Sequence, residues 1–541
     1  MKLSTFTKSV ALSLMFCGTA KAQSWDLNSL LATNDTVAES VNLVTTDNIG
    51  NSYWASHYFI KNSSREGYLI TKVDRLGAFI SRTAVQANAG TYTTTGIADI
   101  EFISGALYVV SNTRKPNADV DVLIQKYSNA LVKQWEVLYN DPNSKDDAGI
   151  EVLAGPNNGL LVSMVSFQDG AVINYARSNG AIINSVIYNN GATSIETIRS
   201  MTFAGGSVYI AGKNANGAGT NSDMFITRYD STLTLVWNKV FDASQSSVKD
   251  EVIDINPDAS GDILVTGNYQ TATSTNSVFF TKYNDVNGSR LWLRKLTNDD
   301  IFATEVFADA SSNVISVVNG APNRYINLNG TTGAVITNKG IFNLGTLEYT
   351  ITDVVASGNN LYLTGSYDST YTTGTTAHTS LGVLVTKLNL TGGRLWNTYV
   401  TSTDATQYYR ASCINLLNNS KVHYAANFFD SNAPTKRYYS QLSNISASNG
   451  LRTGDEMAEN GFSVYPNPAN DIVHLRLNNQ QATNGQLTIY DLSGRLVLTE
   501  NLEMTAGLQE VTVSVSELSE GTYIVRLNTG ESTQTGKIII Y

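Results

Sequence analysis

The chain has 541 residues, of which only 15% are charged, and its formal net charge is −10 at pH 7. Nucleic-acid binding is disfavoured, because an acidic chain offers no basic stripe that neutralises phosphates. Glycine (41) and tyrosine (28) are abundant and proline (8) is scarce, a composition that is typical of strands and turns rather than helices.

Residues 1–22 predict a cleaved signal peptide. Two lysines precede the apolar segment "SVALSLMFCGTA", which is too short to span a bilayer, and Ala20-Lys21-Ala22 provides a small-x-small cleavage pattern before Gln23. An amphipathic first helix of the mature fold is the alternative. Cleavage removes three lysines and no acid, and leaves Cys413 as the only cysteine, which excludes an intrachain disulfide. No later stretch is long and apolar enough to predict a transmembrane segment.

One phrase recurs along the chain. In "FITRYDSTLTLVWNKVF" (Phe225–Phe241) a cation, an aromatic residue and a tryptophan stand at fixed offsets. Eight copies of this phrase, this one included, are recognisable. Their equivalent residues are Val73, Tyr127, Tyr175, Tyr229, Tyr283, Leu328, Leu388 and Leu442. A strand-rich repeat of about fifty residues predicts a β-propeller in which each copy belongs to one blade.

Two further strands precede each copy. Segments such as "MTFAGGSVYIAG" and "IDINPDASGDILVTG" contain a strand, a tight turn and a second strand, so each unit supplies the four strands of a blade. We therefore predict an all-β protein with eight four-stranded blades. Seven blades remain an alternative, because "CINLLNNSKVHYAANFF" departs most from the pattern.

Tryptophans mark the start of the fourth strand in several units. Trp135, Trp237, Trp292 and Trp396 hold this place, and we expect them to pack against neighbouring strands or the next blade. Trp25 stands where the spacing of the repeats would place the start of another fourth strand. Residues 24–31 are therefore predicted to supply the outer strand of the last blade and to close the ring; a strand beginning at Leu451 is the alternative.

The units resemble the SBBP-type bacterial propeller repeat and, more distantly, the quinoprotein-dehydrogenase-like repeat with its docking tryptophan. The resemblance rests on wording such as "DINPDASGDILVTG…FFTKYNDVNGSRLW" and extends over residues 24–455. It implies the fold more than an activity, because propellers carry many unrelated functions. A quinone-dependent dehydrogenase is disfavoured, since the family's vicinal cysteine pair cannot exist in a mature chain with one cysteine.

Carboxylates recur on the first strands. Glu101, Glu151, Asp254 and Asp353 occupy about the same place in four units, among apolar neighbours. Because first strands border the channel of a propeller, these side chains are candidate ligands of a hard cation such as Ca²⁺, or candidate contacts to a sugar. The alternative is that each carboxylate accepts backbone N–H groups.

Two other polar features recur. The cations Lys72, Lys126, Arg228, Lys282 and Lys387 precede the aromatic residue of the phrase. Where an acid follows two residues later, as Asp74 and Asp230 do, we expect local ion pairs on exposed third strands. Polar loops, such as those that begin at Lys213 and Gln270, join second and third strands and are candidate binding surfaces.

The C-terminal segment breaks the period. After a polar linker at 456–460, residues 461–541 alternate apolar and polar residues between turn signals, which predicts a small immunoglobulin-like β-sandwich. "YPNPANDIVHLRL", "LTIYDLSGRLV", "LSEGTYIVRL" and "GKIIIY" resemble the type A C-terminal sorting domain of type IX secretion cargo in Bacteroidetes. The resemblance implies entry into the periplasm, export by the type IX secretion machinery, cleavage by its sortase-like protease, and a secreted or outer-membrane-surface location.

These observations divide the chain into a signal peptide (1–22), a propeller (23–455), the linker (456–460) and the sorting domain (461–541). HExxH, GxSxG and P-loop motifs do not occur in the sequence. The favoured hypothesis is a non-enzymatic surface or secreted protein that binds a glycan or protein partner. The alternatives are a polysaccharide hydrolase or lyase that uses channel carboxylates, and a structural protein of the cell surface or biofilm.

Overall fold

A computed structural model describes residues 23–28, 37–446 and 462–540, apart from short loop segments between strands. The predicted signal peptide (1–22) and linker (456–460) lie outside the described residues. The chain divides into two compact units: Gln23–Leu395 with Tyr399–Ser448 belongs to the larger, and Asn449–Tyr541 to the smaller.

The larger unit is built from strands β1–β32. In blades 1–4 they are β2 Val37–Thr46, β3 Ser52–Ile60, β4 Glu66–Val73, β5 Phe79–Ala84; β6 Thr93–Ile103, β7 Ala106–Arg114, β8 Val120–Ser128, β9 Lys133–Tyr139; β10 Asp147–Gly155, β11 Gly159–Ser166, β12 Asp169–Ala176, β13 Ile182–Tyr188; β14 Ser194–Ala204, β15 Ser207–Asn216, β16 Ser222–Tyr229, β17 Leu235–Phe241. In blades 5–8 they are β18 Asp250–Pro257, β19 Ile263–Gln270, β20 Asn276–Tyr283, β21 Arg290–Leu296; β22 Phe302–Ala308, β23 Val314–Asn319, β24 Arg324–Leu328, β25 Val335–Gly340; β26 Glu348–Ser357, β27 Asn360–Thr373, β28 Thr376–Asn389, β29 Arg394–Val400; β30 Gln407–Leu417, β31 Lys421–Asp430, β32 Arg437–Ser446 and β1 Gln23–Asn28.

Seven sheets of four sequential antiparallel strands, and an eighth formed by β30–β32 with β1, confirm the predicted propeller. Each first strand contacts the first strand of the next blade, and β30 contacts β2, so the first strands form a closed ring. The eighth sheet is completed by β1, which pairs with β32 and places Leu27 opposite Leu442. The N-terminal segment therefore closes the ring, as the phase of Trp25 predicts; the side chain of Trp25 lies outside what the structure describes.

The recurring phrase is a contact between blades. The indole Nε1 of Trp135, Trp237 and Trp292 donates to a carbonyl oxygen in the turn between the third and fourth strands of the next blade, at Arg177, Asp285 and Gly330 respectively. Trp396 is also buried. The ring of each of these tryptophans packs on the turn of the next blade. Blades that dock in this way need the same residues at the same offsets, which explains the repeated phrase.

The predicted exposed ion pair between Arg228 and Asp230 was wrong, and four of the repeated cations reach the next blade. Lys72, Lys126, Arg228 and Lys282 donate to carbonyl oxygens in the same turns of the next blade, and Lys72 and Lys282 are buried. Asp230 instead caps its own turn by accepting from Thr232 and Thr234. The cations therefore join blades, which a single strand pattern does not reveal.

A glycine in the turn of the next blade permits this close approach between blades 4 and 5. Gly288 has φ +65°, and a Cβ atom there would lie 2.6 Å from the ring of Trp237. We expect Gly288→Ala to lower the free energy of unfolding by about 2–3 kcal/mol, because it adds backbone strain and overpacking. Gly358→Ala is the matched control, since Gly358 has φ +54° and a Cβ atom there would meet no other atom within 4 Å, and it should cost about 1 kcal/mol. Equal losses in urea unfolding would contradict the packing role.

The smaller unit is a seven-stranded sandwich. Its strands are β33 Phe462–Tyr465, β34 Ile472–Asn479, β35 Thr483–Asp491, β36 Leu496–Met504, β37 Gly507–Ser514, β38 Gly521–Asn528 and β39 Thr533–Ile540. The sheets have the orders β33-β34-β37 and β36-β35-β38-β39. Alternate residues such as Leu475, Ile489 and Val525 form its core, which confirms the predicted β-sandwich.

Candidate functional site

Each first strand carries a β-bulge at the same place. A bulge inserts an extra residue and re-aims the neighbouring side chains. The ring position, as defined here, is the last residue of the bulge region, directly before the paired residue Val44, Ile100, Val152, Met201, Ile255, Val306, Val354 or Ile414. Its eight occupants are Leu43, Asp99, Glu151, Ser200, Asp254, Glu305, Asp353 and Cys413. Five of them are carboxylates on the closed ring of first strands.

The structure places three of the four predicted residues, Glu151, Asp254 and Asp353, at the ring position. In blade 2 the equivalent residue is Asp99, so the alignment of Glu101 with the other three was two residues out of register. Glu305 was missed. Both could have been found from an acid followed directly by a β-branched aliphatic residue, a dipeptide that all five ring carboxylates begin.

The ring carboxylates bond to the following blade. Asp99 Oδ2 accepts from Val152 N at 2.8 Å, and Glu151 Oε2 accepts from Met201 N at 2.8 Å. The same pattern continues farther along the ring: Asp254 Oδ2 accepts from Val306 N at 2.9 Å and Asp353 Oδ2 from Ile414 N at 2.8 Å. Each of these N–H groups belongs to the first strand of the next blade, so the carboxylates join adjacent first strands.

Remaining oxygen atoms are also engaged. Asp99 Oδ1 and Asp353 Oδ1 accept from the next residue's backbone N–H, each at 2.8 Å. Asp254 Oδ1 accepts from Ser200 Oγ at 3.1 Å. Glu101, two residues beyond the ring position, faces Thr45 Oγ1 at 3.5 Å. The ring carboxylates therefore connect adjacent blades through hydrogen bonds.

Burial and mutual repulsion favour the protonated form of these groups. Burial, opposed by hydrogen bonds from Val152 and Ile100, raises the pKa of Asp99 to about 7. Burial and the charge of Asp99 raise the pKa of Glu101 to about 7. Burial and the charges of Asp99 and Asp254 raise the pKa of Glu151 well above its ordinary value. Neutral carboxyl groups are poor ligands for a cation.

A second acidic pair completes the ring. Burial, followed by the charge of Asp353, raises the pKa of Glu305 well above its ordinary value. Burial also raises the pKa of Asp353 and of the Cys413 thiol beside it. A protonated, buried thiol is unreactive, so Cys413 has a packing role at the ring position of blade 8.

Calcium binding by the four predicted carboxylates stays a prediction. Among the residues that the structure describes, no three His, Cys, Asp or Glu side chains are grouped in a way that could hold a metal ion. A cation at the ring would have to compete with the backbone N–H groups that already bond Asp99, Asp254 and Asp353.

The second candidate region is the end of the propeller where first strands begin, here called the entry face. First strands begin where second strands end, as the pair Asp250 and Tyr269 shows. The loops that join second to third strands therefore lie at this face. The parts of the predicted binding loops at 217–221 and 271–275 lie outside the described residues.

Described side chains at the entry face differ from blade to blade. In blades 4 and 5, Arg199 Nη2 and Lys213 Nζ both contact Glu251 Oε1, the latter at 3.9 Å. In blade 6, Phe302 occupies the place equivalent to Glu251 and is exposed. Two cations, a carboxylate and an exposed aromatic ring provide hydrogen-bonding groups and a stacking surface.

Residues 463–541 match a family described as the secretion system C-terminal sorting domain. The match implies that the propeller is exported to the cell surface or the exterior, and that the sorting domain contacts the type IX secretion machinery. Within the described residues, no helix is long and apolar enough to cross a membrane. No curated protein matches this chain.

Several solved structures are similar to the chain. The Dos1 propeller has 12% identity and a TM-score of 0.45, and the match covers 78% of this chain and 94% of that one. A europium-containing methanol dehydrogenase has 10% identity and a TM-score of 0.42, with 72% and 85% covered. A protein of unknown function from Bacteroides caccae has 12% identity and a TM-score of 0.32, with 52% and 90% covered. At these scores the similarity carries no argument about activity.

Proposed function

We propose that this chain is an exported, non-catalytic propeller that binds a glycan or protein partner at its entry face. The observation that carries the proposal is the use of the ring carboxylates: those at Asp99, Glu151, Asp254 and Asp353 accept a backbone N–H group of the next blade. The groups that would serve as acid or base are thus used to hold the blades together.

The environment of Glu305 and Asp353 supports binding over hydrolysis. Burial and the charge of Asp353 raise the pKa of Glu305 well above its ordinary value, and burial raises the pKa of Asp353. Protonated carboxyl groups at both places would lack the carboxylate that a glycosidase needs as nucleophile or base.

Variation between blades supports the entry face as the binding surface. The contacts between blades repeat the same residue types, whereas the entry-face position of Glu251 in blade 5 holds Thr197 in blade 4 and Phe302 in blade 6. Rigid folds usually bind their partners through loops and loop-proximal residues that vary, while the scaffold beneath them stays the same.

A glycan array probed with the mature chain, with calcium and with a chelator, tests the proposal. We expect selective binding that the double variant Arg199→Ala, Phe302→Ala weakens at least tenfold, because a charged hydrogen bond and a stacked ring are lost. Lys133→Ala, on the outer strand of blade 2, is the matched control and should bind like the wild type.

Other outcomes would move or overturn the proposal. Binding that requires calcium and is lost only in Glu101→Gln with Asp254→Asn would place the site at the ring. Production of new reducing ends or unsaturated sugars by the purified protein would overturn the non-catalytic role. Absence of binding to every glycan would exclude a glycan partner among those tested and leave a protein partner.

A further inference from the structure

The outer strand of blade 3 differs from all others. β13 has the sequence IINSVIY and contains no charged residue, whereas each of the other seven outer strands carries at least one. Among the residues that the structure describes, β13 pairs with β12 on one side only and is the edge of its sheet. Natural proteins protect such edges with charges, because an uncharged edge with unpaired N–H and C=O groups pairs readily with another strand.

The exposed face of β13 is apolar. Ile183 is 42% exposed and Ile187 is 50% exposed, with exposed Ser185 between them. Val186 and Tyr188 point to the opposite face and pack in the core between blades 3 and 4. Two exposed isoleucines at alternate positions form an apolar row directly beside the free edge.

This row is self-complementary. If two copies of β13 pair antiparallel about Ser185, Ile187 of each copy lies opposite the bulge residue Ile183 of the other, and the two Ser185 residues lie opposite each other. The same patch serves both copies, as a two-fold symmetric interface requires. No like charges meet, although the chain as a whole is acidic.

We propose that β13 is a self-association edge, through which two copies of this exported protein join their third blades into one continuous antiparallel sheet. The occupant is a second copy rather than an unrelated peptide, because the row reads the same from both directions and carries no charge that would select a differently charged partner. This inference does not depend on the proposed binding at the entry face.

The association is expected to be weak and to strengthen with salt. One strand edge of seven residues buries less surface than a standard interface, so the dissociation constant is expected to be roughly micromolar to millimolar. Two acidic copies repel each other, and salt screens that repulsion within about 10 Å at 0.1 M. At a crowded cell surface, the high local concentration compensates for a weak contact.

A cysteine cross-link tests the geometry. Antiparallel pairing about Ser185 brings its two Cα atoms to about 4.5–5.5 Å, within the span of a disulfide. The mature chain has one other cysteine, Cys413, which is buried. We expect Ser185→Cys to form a covalent dimer on mild oxidation, and Asn338→Cys, at the equivalent exposed place on β25, to form at least tenfold less.

Sedimentation of the full mature chain tests the association itself. We expect the wild type to shift from monomer to dimer as its concentration is raised towards about 1 mM, and Ser185→Lys to remain monomeric because two lysines would meet at the symmetry axis. Asn338→Lys should behave like the wild type. A wild-type monomer over the whole range, with cross-linking of Ser185→Cys no faster than that of the control, would overturn the proposal.

Discussion

Replacement of Lys282 by methionine is expected to lower the free energy of unfolding by about 3–5 kcal/mol, the usual cost of leaving a buried charge without its partner. Lys282 Nζ lies 2.5 Å from Asp258 Oδ2 and 3.3 Å from Asp262 Oδ2, and the side chains of Lys282 and Asp258 are 6% and 0% exposed. The same ammonium group donates to Gly330 O of the next blade at 3.3 Å.

The expected loss follows from what remains after the substitution. Burial disfavours the ionised form of Asp258, but the hydrogen bonds of Lys282 and Ser260 and the charge of Lys282 hold its pKa below the ordinary value. Methionine fills the space without the charge, so the Asp258 carboxylate becomes a buried anion with no cation. The joint between blades 5 and 6 also loses a hydrogen bond.

Lys133→Met is the matched control. Lys133 Nζ also pairs with a carboxylate, Glu136 Oε2 at 2.8 Å, but the two side chains are 25% and 18% exposed. A solvated pair of this kind contributes about 0–1 kcal/mol. If urea unfolding gives the same small loss of unfolding free energy for both variants, the buried cluster stabilises the fold no more than a surface ion pair does.

The architecture could be predicted because its contacts repeat along the chain. Tryptophan and cation recur at fixed offsets in several units, since those blades dock on the next in the same way, as Trp237 does at Asp285 O. The closing strand could be predicted for the same reason, because residues near Trp25 keep the repeat phase and β1 pairs with β32.

The partners of the repeated polar residues could not be predicted from one strand at a time. Strand alternation places Lys72 and Asp74 on one face, but the Lys72 ammonium group reaches Asn129 O in the next blade. The register of the ring was a different case: Glu101 was aligned in place of Asp99 because the bulge shifts the strand, although an acid directly before a β-branched aliphatic residue marks all five ring carboxylates. The contact of Lys72 lies across two blades, so the pattern of its own strand does not reveal it.

The propeller is expected to be markedly less stable at about pH 8.5 than at about pH 5.5. Asp99 and Glu101 have pKa values of about 7 in the folded chain, against about 4 in an unfolded one. The folded state therefore binds more protons than the unfolded state across this interval. The associated stability is fully present below about pH 4 and is lost as the pH rises through about 7.

The expected change is about 2 kcal/mol for each of these two groups between about pH 5.5 and pH 8.5. Glu151 and Glu305 add to it, because burial and neighbouring carboxylates raise their pKa values further. Urea midpoints measured across this range, with a chelator to exclude cations, give the slope. Glu151→Gln keeps an oxygen that accepts from Met201 N but cannot ionise, so its slope should be smaller by about one proton.

Glu251→Gln is the control for this measurement, since Glu251 is a partly exposed carboxylate at the entry face, outside the ring. It should keep the wild-type slope. Equal slopes for Glu151→Gln and the wild type would mean that Glu151 is ionised over the whole pH range. The ring carboxylates would then repel one another without being neutralised by protons. A ring of five carboxyl groups bonded from blade to blade would then require another source of neutralisation, and a bound cation would become the stronger explanation.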